Sequence, residues 1–344
     1  MKRALKIFKY ALEFLFLLVV VYCIRNYKMV QYAVAQAKGQ LTVAWNVKTI
    51  DEVLNDKTFP DSLKQRLELV KEIKQFCFDS LGLNHSENYS TVYDQHDKPI
   101  LWNVTACEAF KLRPYEWTFP FLGKVPYKGF FKKESAEKEA DELRAENLDV
   151  YLYSVSGWST LGWFNDPILS NMLKRSEGSL ADLIIHELTH GTLYVKSSAN
   201  FNENLASFVG NRGALMFLER KYGKDSVPLK KYLRDKQDED LFDEYCLDYS
   251  SRLDSLYRSN SRGKKYQKET IIRNFIEGVD SLVLFDKDRY KRFAESARKG
   301  KNAFFMSFVR YESQQEVFEK EFTEKFNSDI RKYIVYLKEK YPSL

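Results

Sequence analysis

Histidine is almost missing from this chain, with four residues among 344. Cysteine is as sparse, and Cys23, Cys77, Cys107 and Cys246 lie far apart with no CxxC pair. That spacing argues against a cysteine-built structural zinc module and against a disulfide framework, although a single bridge is compatible with it. The body also lacks a charge excess. The chain carries a formal +6, but residues 1–28 hold Lys2, Arg3, Lys6, Lys9, Arg25 and Lys28 against one acid, Glu13. Removing these from totals of 54 basic and 48 acidic residues leaves 48 and 47. Such a balance gives no electrostatic footprint for DNA or RNA, so no nucleic-acid partner is expected. Repeats and low-complexity tracts are absent too, and the apolar (44%) and charged (30%) fractions are those of a globular protein.

Long apolar runs are confined to the N-terminus. "MKRALKIFKYALEFLFLLVVVYCIRNYK" has a basic head, then eleven nonpolar residues, Phe14 to Ile24. About 20 residues are needed to cross a hydrocarbon core of ~30 Å. Extending the segment back to Leu5 reaches that length, with Lys6 and Lys9 snorkelling to the interface. The preferred reading is an uncleaved, single-pass anchor. A signal peptide is the rival, its best cleavage point at Ala33–Ala35 lying downstream of two charges. Within the run Cys23 reads as a small buried thiol, and Tyr22 before it is unsuited to lipoprotein processing. Basic residues before the run outnumber those after it, which places the N-terminus in the cytoplasm and the rest outside the cytoplasmic membrane. The chain is instead secreted if residues 1–28 are removed.

Periodicity divides the remainder. Residues 29–80 carry apolar residues at three- and four-residue spacing and are predicted helical. Between about 90 and 165, "YSTVYD", "ILWNVTACEAF", "WTFPFLGKVPYKGFF" and "DVYLYSVSGWSTLGWF" are β-branched and aromatic with Pro and Gly punctuation. They predict a small sheet, with "EKEADELRAE" a helix between two strands. From 179 onward the pattern is helical again, and the basic run "SRGKKYQKE" reads as a solvated loop. The fold class expected is α+β, predominantly helical. Its parts are an anchor over 1–28, a catalytic domain over 29–215 and a helical region over 216–344 packing on it.

Against this histidine-poor background, "IIHELTHGTLYVKSSANFNENLASFVGNRG" puts two of the four histidines four residues apart. Ser179, with Asp182 three residues later, looks like a capping box that starts the helix. On that helix His186 and His190 stand one turn apart and can reach one ion at about 2 Å each. Glu187 lies beside them, where a general base must be to take a proton from water activated by the metal. A catalytic zinc has three protein ligands, and Glu203 is the candidate third, on a second helix reached through a turn at Lys196–Ala199. Two imidazoles and a carboxylate suit one Zn²⁺ per chain. Glu203 also has an innocent role open to it, as the capping glutamate of a helix begun by Asn200.

The pair Asn202-Glu203 after HELTH is similar to the second half of the gluzincin motif of thermolysin-type peptidases. There an aspartate follows four residues after the glutamate and orients a ligand histidine; here Ser207 holds that place. Nearly the whole chain resembles the bacterial "predicted aminopeptidase" family of zinc peptidases. The resemblance rests on "QAKGQL", "WTFPFLGKVPYKGFF", "DVYLYSVSGWSTLGWFNDPILS", "LIIHELTHGTLYVKSSANFNENLASFVGNRG" and "KNAFFMSFVRYES". Thr118 and Lys124 stand where its members commonly have cysteines, Gly157 and Trp158 replace Ala-Tyr, and Asn165 replaces an Asp. The resemblance implies a zincin-like fold with a small mixed sheet over the HExxH helix, and a peptide or protein substrate.

Zincin-like enzymes hold substrate along an exposed strand edge, which makes Ser159, Thr160, Leu161 and Gly162 a candidate cleft rim. Tyr127 and Tyr194 are candidate donors to the developing oxyanion. Asn302 and Tyr311 are candidates to reach the cleft from the helical region. The function expected is zinc-dependent peptide hydrolysis with Glu187 as base, as an aminopeptidase by the family's name. Two alternatives are a non-catalytic zinc-binding scaffold and a membrane-anchored binding or chaperone module.

Overall fold

Local sequence explains where each element begins. The structure, a computed structural model, describes residues 2–119, 123–155, 165–195, 198–312 and 315–341. The chain forms two units, Met1–Asn46 and Val47–Leu344. The first consists of α1 (Lys2–Arg25) and α2 (Tyr27–Trp45). Within α1, Leu5–Arg25 is long and apolar enough to cross a membrane. Its large side chains are exposed, Phe8 and Phe16 each at 70%. Glu13 lies 3.8 Å from Lys9, one turn away.

The second unit opens with a two-residue strand, β1 (Lys48–Thr49), inside the segment predicted wholly helical. Thr49 then starts α3 (Ile50–Asn55) through a capping box: its hydroxyl accepts from the Glu52 N–H at 3.2 Å, and Glu52 accepts the Thr49 N–H at 2.6 Å. Helix α4 (Asp61–Phe76) continues into a π-helical turn, Cys77–Leu81, closed by Gly82 in the left-handed region at φ 78°. Strands β2 (Thr91–Tyr93), β3 (Trp102–Glu108), β4 (Trp117–Phe119), β5 (Gly123–Val125) and β6 (Lys128–Phe130) follow. Next come α5 (Lys133–Ala145), β7 (Leu148–Ser154) and β8 (Ile168–Leu169). The rest is helical: α6 (Glu177–His190), α7 (Ala199–Tyr222), α8 (Val227–Arg258), α9 (Lys264–Gly278), α10 (Lys287–Ala294) and α11 (Ser296–Gly300). The chain closes with α12 (Asn302–Glu312), α13 (Gln315–Phe326) and α14 (Ile330–Lys340).

The mostly helical α+β class agrees with the sequence pattern, and the strands divide among more than one sheet. Among the described residues there are three small sheets. One is mixed: β1 runs antiparallel to β2, and β2 pairs parallel with β8 through Val92↔Ile168. The second is antiparallel in the order β6-β3-β7, with α5 and α12 packed on it. The third is the hairpin β4–β5, in which Thr118 and Lys124 face each other directly. Among the described residues, helix α6 packs chiefly against α7, with α4 and α8 as further neighbours. The uncharged residues of α6, such as Ile184, Ile185 and Leu188, are buried.

An aromatic core joins α8, α9, α10 and α12 around Phe242, Phe275, Phe304 and Phe305. Asn302 belongs to its edge. It is fully buried; its side chain donates to the Glu108 carbonyl at 2.8 Å and accepts the Tyr257 hydroxyl at 2.6 Å, while its N–H donates to Asp149 at 3.1 Å. Lys268, itself buried, donates to Asp149 and to the Ala109 carbonyl. Asn302 thus ties α12 to the ends of β3 and β7, a structural role in place of the expected reach into a cleft. All four cysteines are free thiols.

Candidate metal centre

The helix carrying the histidines starts earlier than Ser179. Ser176 is the N-cap, its hydroxyl accepting the Ser179 N–H at 3.4 Å, and Glu177 places an acid in the first turn, where the helix dipole favours one. Two serines three apart can each begin a helix, and the earlier one wins because it gains that acid. Asp182 is thereby freed from capping. It joins His186 and His190 as a stripe at four-residue spacing on one face of α6.

The C-terminal end of α6 is pinned. Thr192 donates to the Leu188 carbonyl at 3.1 Å and accepts the Asn84 N–H at 3.0 Å. Beyond it, Asn202 clamps the loop to α7 from both sides: its amide oxygen accepts the Val195 N–H at 2.8 Å, and its amide nitrogen donates to the Val195 carbonyl at 2.9 Å. This buried Asn202 sets the start of α7, and with it the neighbouring Glu203. The sequence carried the signal in the Asn-Glu pair, but the reading gave Asn202 no role. Helix α7 is entered from Ser198, so Asn200 lies within its first turn and is not the cap. Glu203 then falls past the third helical position, and the capping explanation for it lapses.

The two helices approach closely because α7 offers no side chain at the crossing. A Cβ on Gly210 would lie 2.5 Å from Asp182 Oδ1, 3.0 Å from the Asp182 carbonyl oxygen and 3.3 Å from His186 Cβ. One on Gly213 would lie 2.9 Å from Ile185 Cδ1. With that contact made, His186 Nε2 and His190 Nε2 are 3.2 Å apart. Glu203 Oε2 is 3.5 Å from the first and 3.8 Å from the second. Among the described residues these three form the group of potential ligands whose donor atoms lie within 4.8 Å of one another. Tetrahedral zinc with bonds of ~2.0–2.1 Å needs donors roughly 3.3 Å apart, so the residues fit that ion. If both Nε2 atoms supply lone pairs, each Nδ1 holds the proton. His190 Nδ1 is buried and finds no acceptor among the described residues.

Electrostatics reinforce the cluster. Burial pushes the Glu203 carboxyl up, but the two imidazoles beside it outweigh that and hold it well below the usual carboxylate range. Burial depresses the His186 imidazole, and Glu203, Glu187 and Asp182 together overcome the effect and raise it. Glu187 is partly buried on the helix next to His186. Its charge also reaches Tyr89, whose phenol burial pushes well above its ordinary value, with Glu187 and Asp166 adding to the shift. Tyr89 has a left-handed backbone (φ 61°), and its N–H donates to the Asp166 carbonyl at 2.6 Å. Nothing in the sequence around Tyr89 marks it as a neighbour of Glu187.

Several of the remaining candidates, Ser159, Thr160, Leu161 and Gly162, lie outside the described residues, as do Lys196 and Ser197 of the expected turn. Tyr194 is in the loop after α6, 47% exposed, and Tyr127 lies between β5 and β6, 36% exposed. Tyr311 is on α12. Ser207, one turn past Glu203, lines a cleft of about 650 Å³ together with Glu239, Arg289, Tyr290 and Phe308.

A family model described as "Putative aminopeptidase" matches residues 31–340. A search of curated proteins and one of solved structures each found no match.

Proposed function

The chain belongs to the "Putative aminopeptidase" family, and on that premise we propose that it is a zinc-dependent peptidase acting through the cluster on α6 and α7. The observation that carries the reading is the convergence of His186 Nε2, His190 Nε2 and Glu203 Oε2, with Glu187 adjoining them on α6. Zinc, when bound, supplies Lewis-acid polarisation of the scissile carbonyl and acidifies water. His186, His190 and Glu203 would hold it. Three protein donors would leave room for water beside that ion. Glu187 accepts a proton from the attacking water and delivers it to the leaving amine nitrogen. The family name suggests a free N-terminus on the substrate. Equal turnover of N-blocked and free peptides would remove the exopeptidase reading.

Glu187→Gln removes the proton acceptor while keeping the shape. It is expected to retain one zinc per chain by elemental analysis and to lose at least the ~10²–10⁴-fold that general acid–base catalysis contributes. Wild-type turnover by this variant would refute the assignment of the base, and wild-type zinc content in Glu203→Ala would refute the third ligand. For α1 we propose a single-pass anchor with the peptidase body outside the cytoplasmic membrane, because Leu5–Arg25 is long and apolar enough and its side chains are exposed. Recovery of the intact chain only in the soluble fraction would overturn it.

A further inference from the structure

The chemistry at the metal cluster leaves unused the cleft of about 650 Å³ that Ser207 lines. Ser207 follows Glu203 by one turn of α7, which puts their Cβ atoms about 5–6 Å apart on one face. The cleft therefore reaches the turn that carries the candidate third ligand. Its volume falls within the ~300–1,000 Å³ of sites that enclose a small ligand. Helix α8 contributes Glu239, Phe242 and Asp243 to the lining, and α10 contributes Arg289, Arg292 and Phe293.

The charges in this lining do not cancel. Lys236 holds Glu239 at 2.7 Å, and Asp243 is not free either. On α10, Lys291 pairs with Asp280 and Lys287 donates to the Asp280 carbonyl at 2.8 Å, whereas Arg289 and Arg292 have no carboxylate partner among the described residues. Three positions apart on one helix, the two guanidiniums share a side. Their support is fixed. Asp238 of α8, 2% exposed, accepts the N–H groups of Phe285 and Asp286, each at 2.8 Å. Asp286 then caps α10 by accepting the Arg289 N–H at 3.1 Å. A buried carboxylate on α8 thus sets where α10 begins, and with it where both arginines stand. Beside them the lining is aromatic: the Phe293 ring lies 5.8 Å from that of Phe242 and 6.0 Å from that of Phe308, between centroids. A planar fork of donors matches a carboxylate two bonds at a time, and apolar neighbours strengthen the attraction by displacing water. A peptide brings such a group at its C-terminus or on Asp and Glu.

We propose that Arg289 and Arg292 are specificity-determining residues that hold a carboxylate of the peptide substrate in this cleft. The inference rests on the peptidase reading and adds a substrate class to it: short peptides whose carboxylate reaches α10 while the scissile bond lies at the metal cluster.

The test uses alanine peptides of increasing length, each as the free acid, as the C-terminal amide and as an amide carrying one Glu. Binding is read by calorimetry on full-length Glu187→Gln protein, which should not consume them, and hydrolysis on full-length wild type. At one or more lengths the acid should bind about 10–100-fold more tightly than the amide, the usual worth of hydrogen bonds between charged groups. Adding Arg289→Ala and Arg292→Ala together should erase that difference and leave amide binding unchanged. Both arginines are exposed, so their replacement should not unfold the chain. Arg289→Lys with Arg292→Lys should keep part of the difference, since charge remains and the fork is lost. Recovery of tight binding by the Glu-bearing amide assigns the site to a side chain, and its absence assigns it to the C-terminus. Equal affinity of all three forms at every length would overturn the proposal. So would an acid preference that survives the double alanine substitution, because the carboxylate would then be sitting elsewhere, on the metal for instance. Failure of the peptidase reading looks different: wild type would cleave none of the peptides, and the calorimetric comparison would still decide whether the arginines hold a carboxylate.

Discussion

Gly210→Ala is the smallest perturbation that should separate α6 from α7. The added Cβ would sit 2.5 Å from Asp182 Oδ1 and 3.0 Å from the Asp182 carbonyl oxygen. Rotation of the Asp182 side chain could relieve the first contact only by breaking its 2.9 Å bond from Tyr232. The second contact is to helix backbone and cannot yield locally. Ordinary carbon–oxygen contacts lie near 3.3–3.6 Å, so the helices must part by roughly 0.3–0.6 Å. Overpacking of this kind costs about 1–3 kcal/mol, and replacing Gly by Ala within a helix returns up to ~1 kcal/mol. The net expectation is a loss of about 1 kcal/mol, or roughly 1–2 °C in melting temperature for a unit of this size. The same separation stretches the donor triangle, already at 3.5 and 3.8 Å from Glu203 to the two imidazoles. Zinc affinity should therefore fall by about tenfold, equivalent to ~1.4 kcal/mol. Differential scanning fluorimetry and chelator competition measure the two effects. Gly191→Ala is the control, because its Cβ would meet only the Leu188 carbonyl at 3.5 Å with φ at −72°. It should stay within about 0.5 kcal/mol of wild type. If Gly210→Ala melts and binds zinc as Gly191→Ala does, the close crossing does not set the site's geometry.

Two further outcomes are expected away from the site. Lys268→Met leaves Asp149 buried without its cation and should cost about 3–5 kcal/mol in chemical denaturation; adding Asp149→Asn, which keeps an acceptor for the Asn302 N–H, should recover most of it, and a double variant less stable than the single would contradict the pairing. Burial pushes the Cys107 thiol up to about 12 and raises those of Cys77 and Cys246 as well. At pH 8 the Cys107 thiolate fraction is then on the order of 10⁻⁴, so native protein should leave all three unmodified by iodoacetamide until denatured, and rapid alkylation of Cys107 would show that its environment is misjudged.

What could be read in the sequence was what depends on short-range spacing. Helical periodicity gave the helices, and the four-residue interval of His186 and His190 placed both on one face because α-helix geometry leaves little choice. Glu203 was reachable by the same arithmetic. The starts of helices were less legible: Ser176 and Ser179 are equivalent by residue type, and the choice turns on Glu177. Strand positions were legible, with α5 between β6 and β7 as the pattern predicts, but strand pairing was not. Val92 pairs with Ile168, 76 positions further along the chain, in strands of two and three residues. Nothing local records such a partnership. Asn302 has a structural role that its sequence does not mark, since an asparagine joined to Glu108, Tyr257 and Asp149 looks in sequence like any other polar residue.

The glycines explain why the candidate site and the core of this unit are hard to tell apart. Where a sheet backs a metal helix, ligand geometry and core packing reside in different layers. Here α6 packs on α7, and the contact that buries Ile185 against Gly213 is continuous with the contact that seats Asp182 and His186 against Gly210. Protein interiors transmit small displacements because they are close-packed, so a substitution at this crossing should change stability and metal affinity together. The Lys268–Asp149 pair has its own supports in β3, β7 and α12. Damage there should lower stability while leaving zinc affinity of the folded fraction intact. Comparing Gly210→Ala with Lys268→Met thus separates a site made by one helix crossing from a site sustained by the whole fold, and loss of affinity in both variants would favour the second.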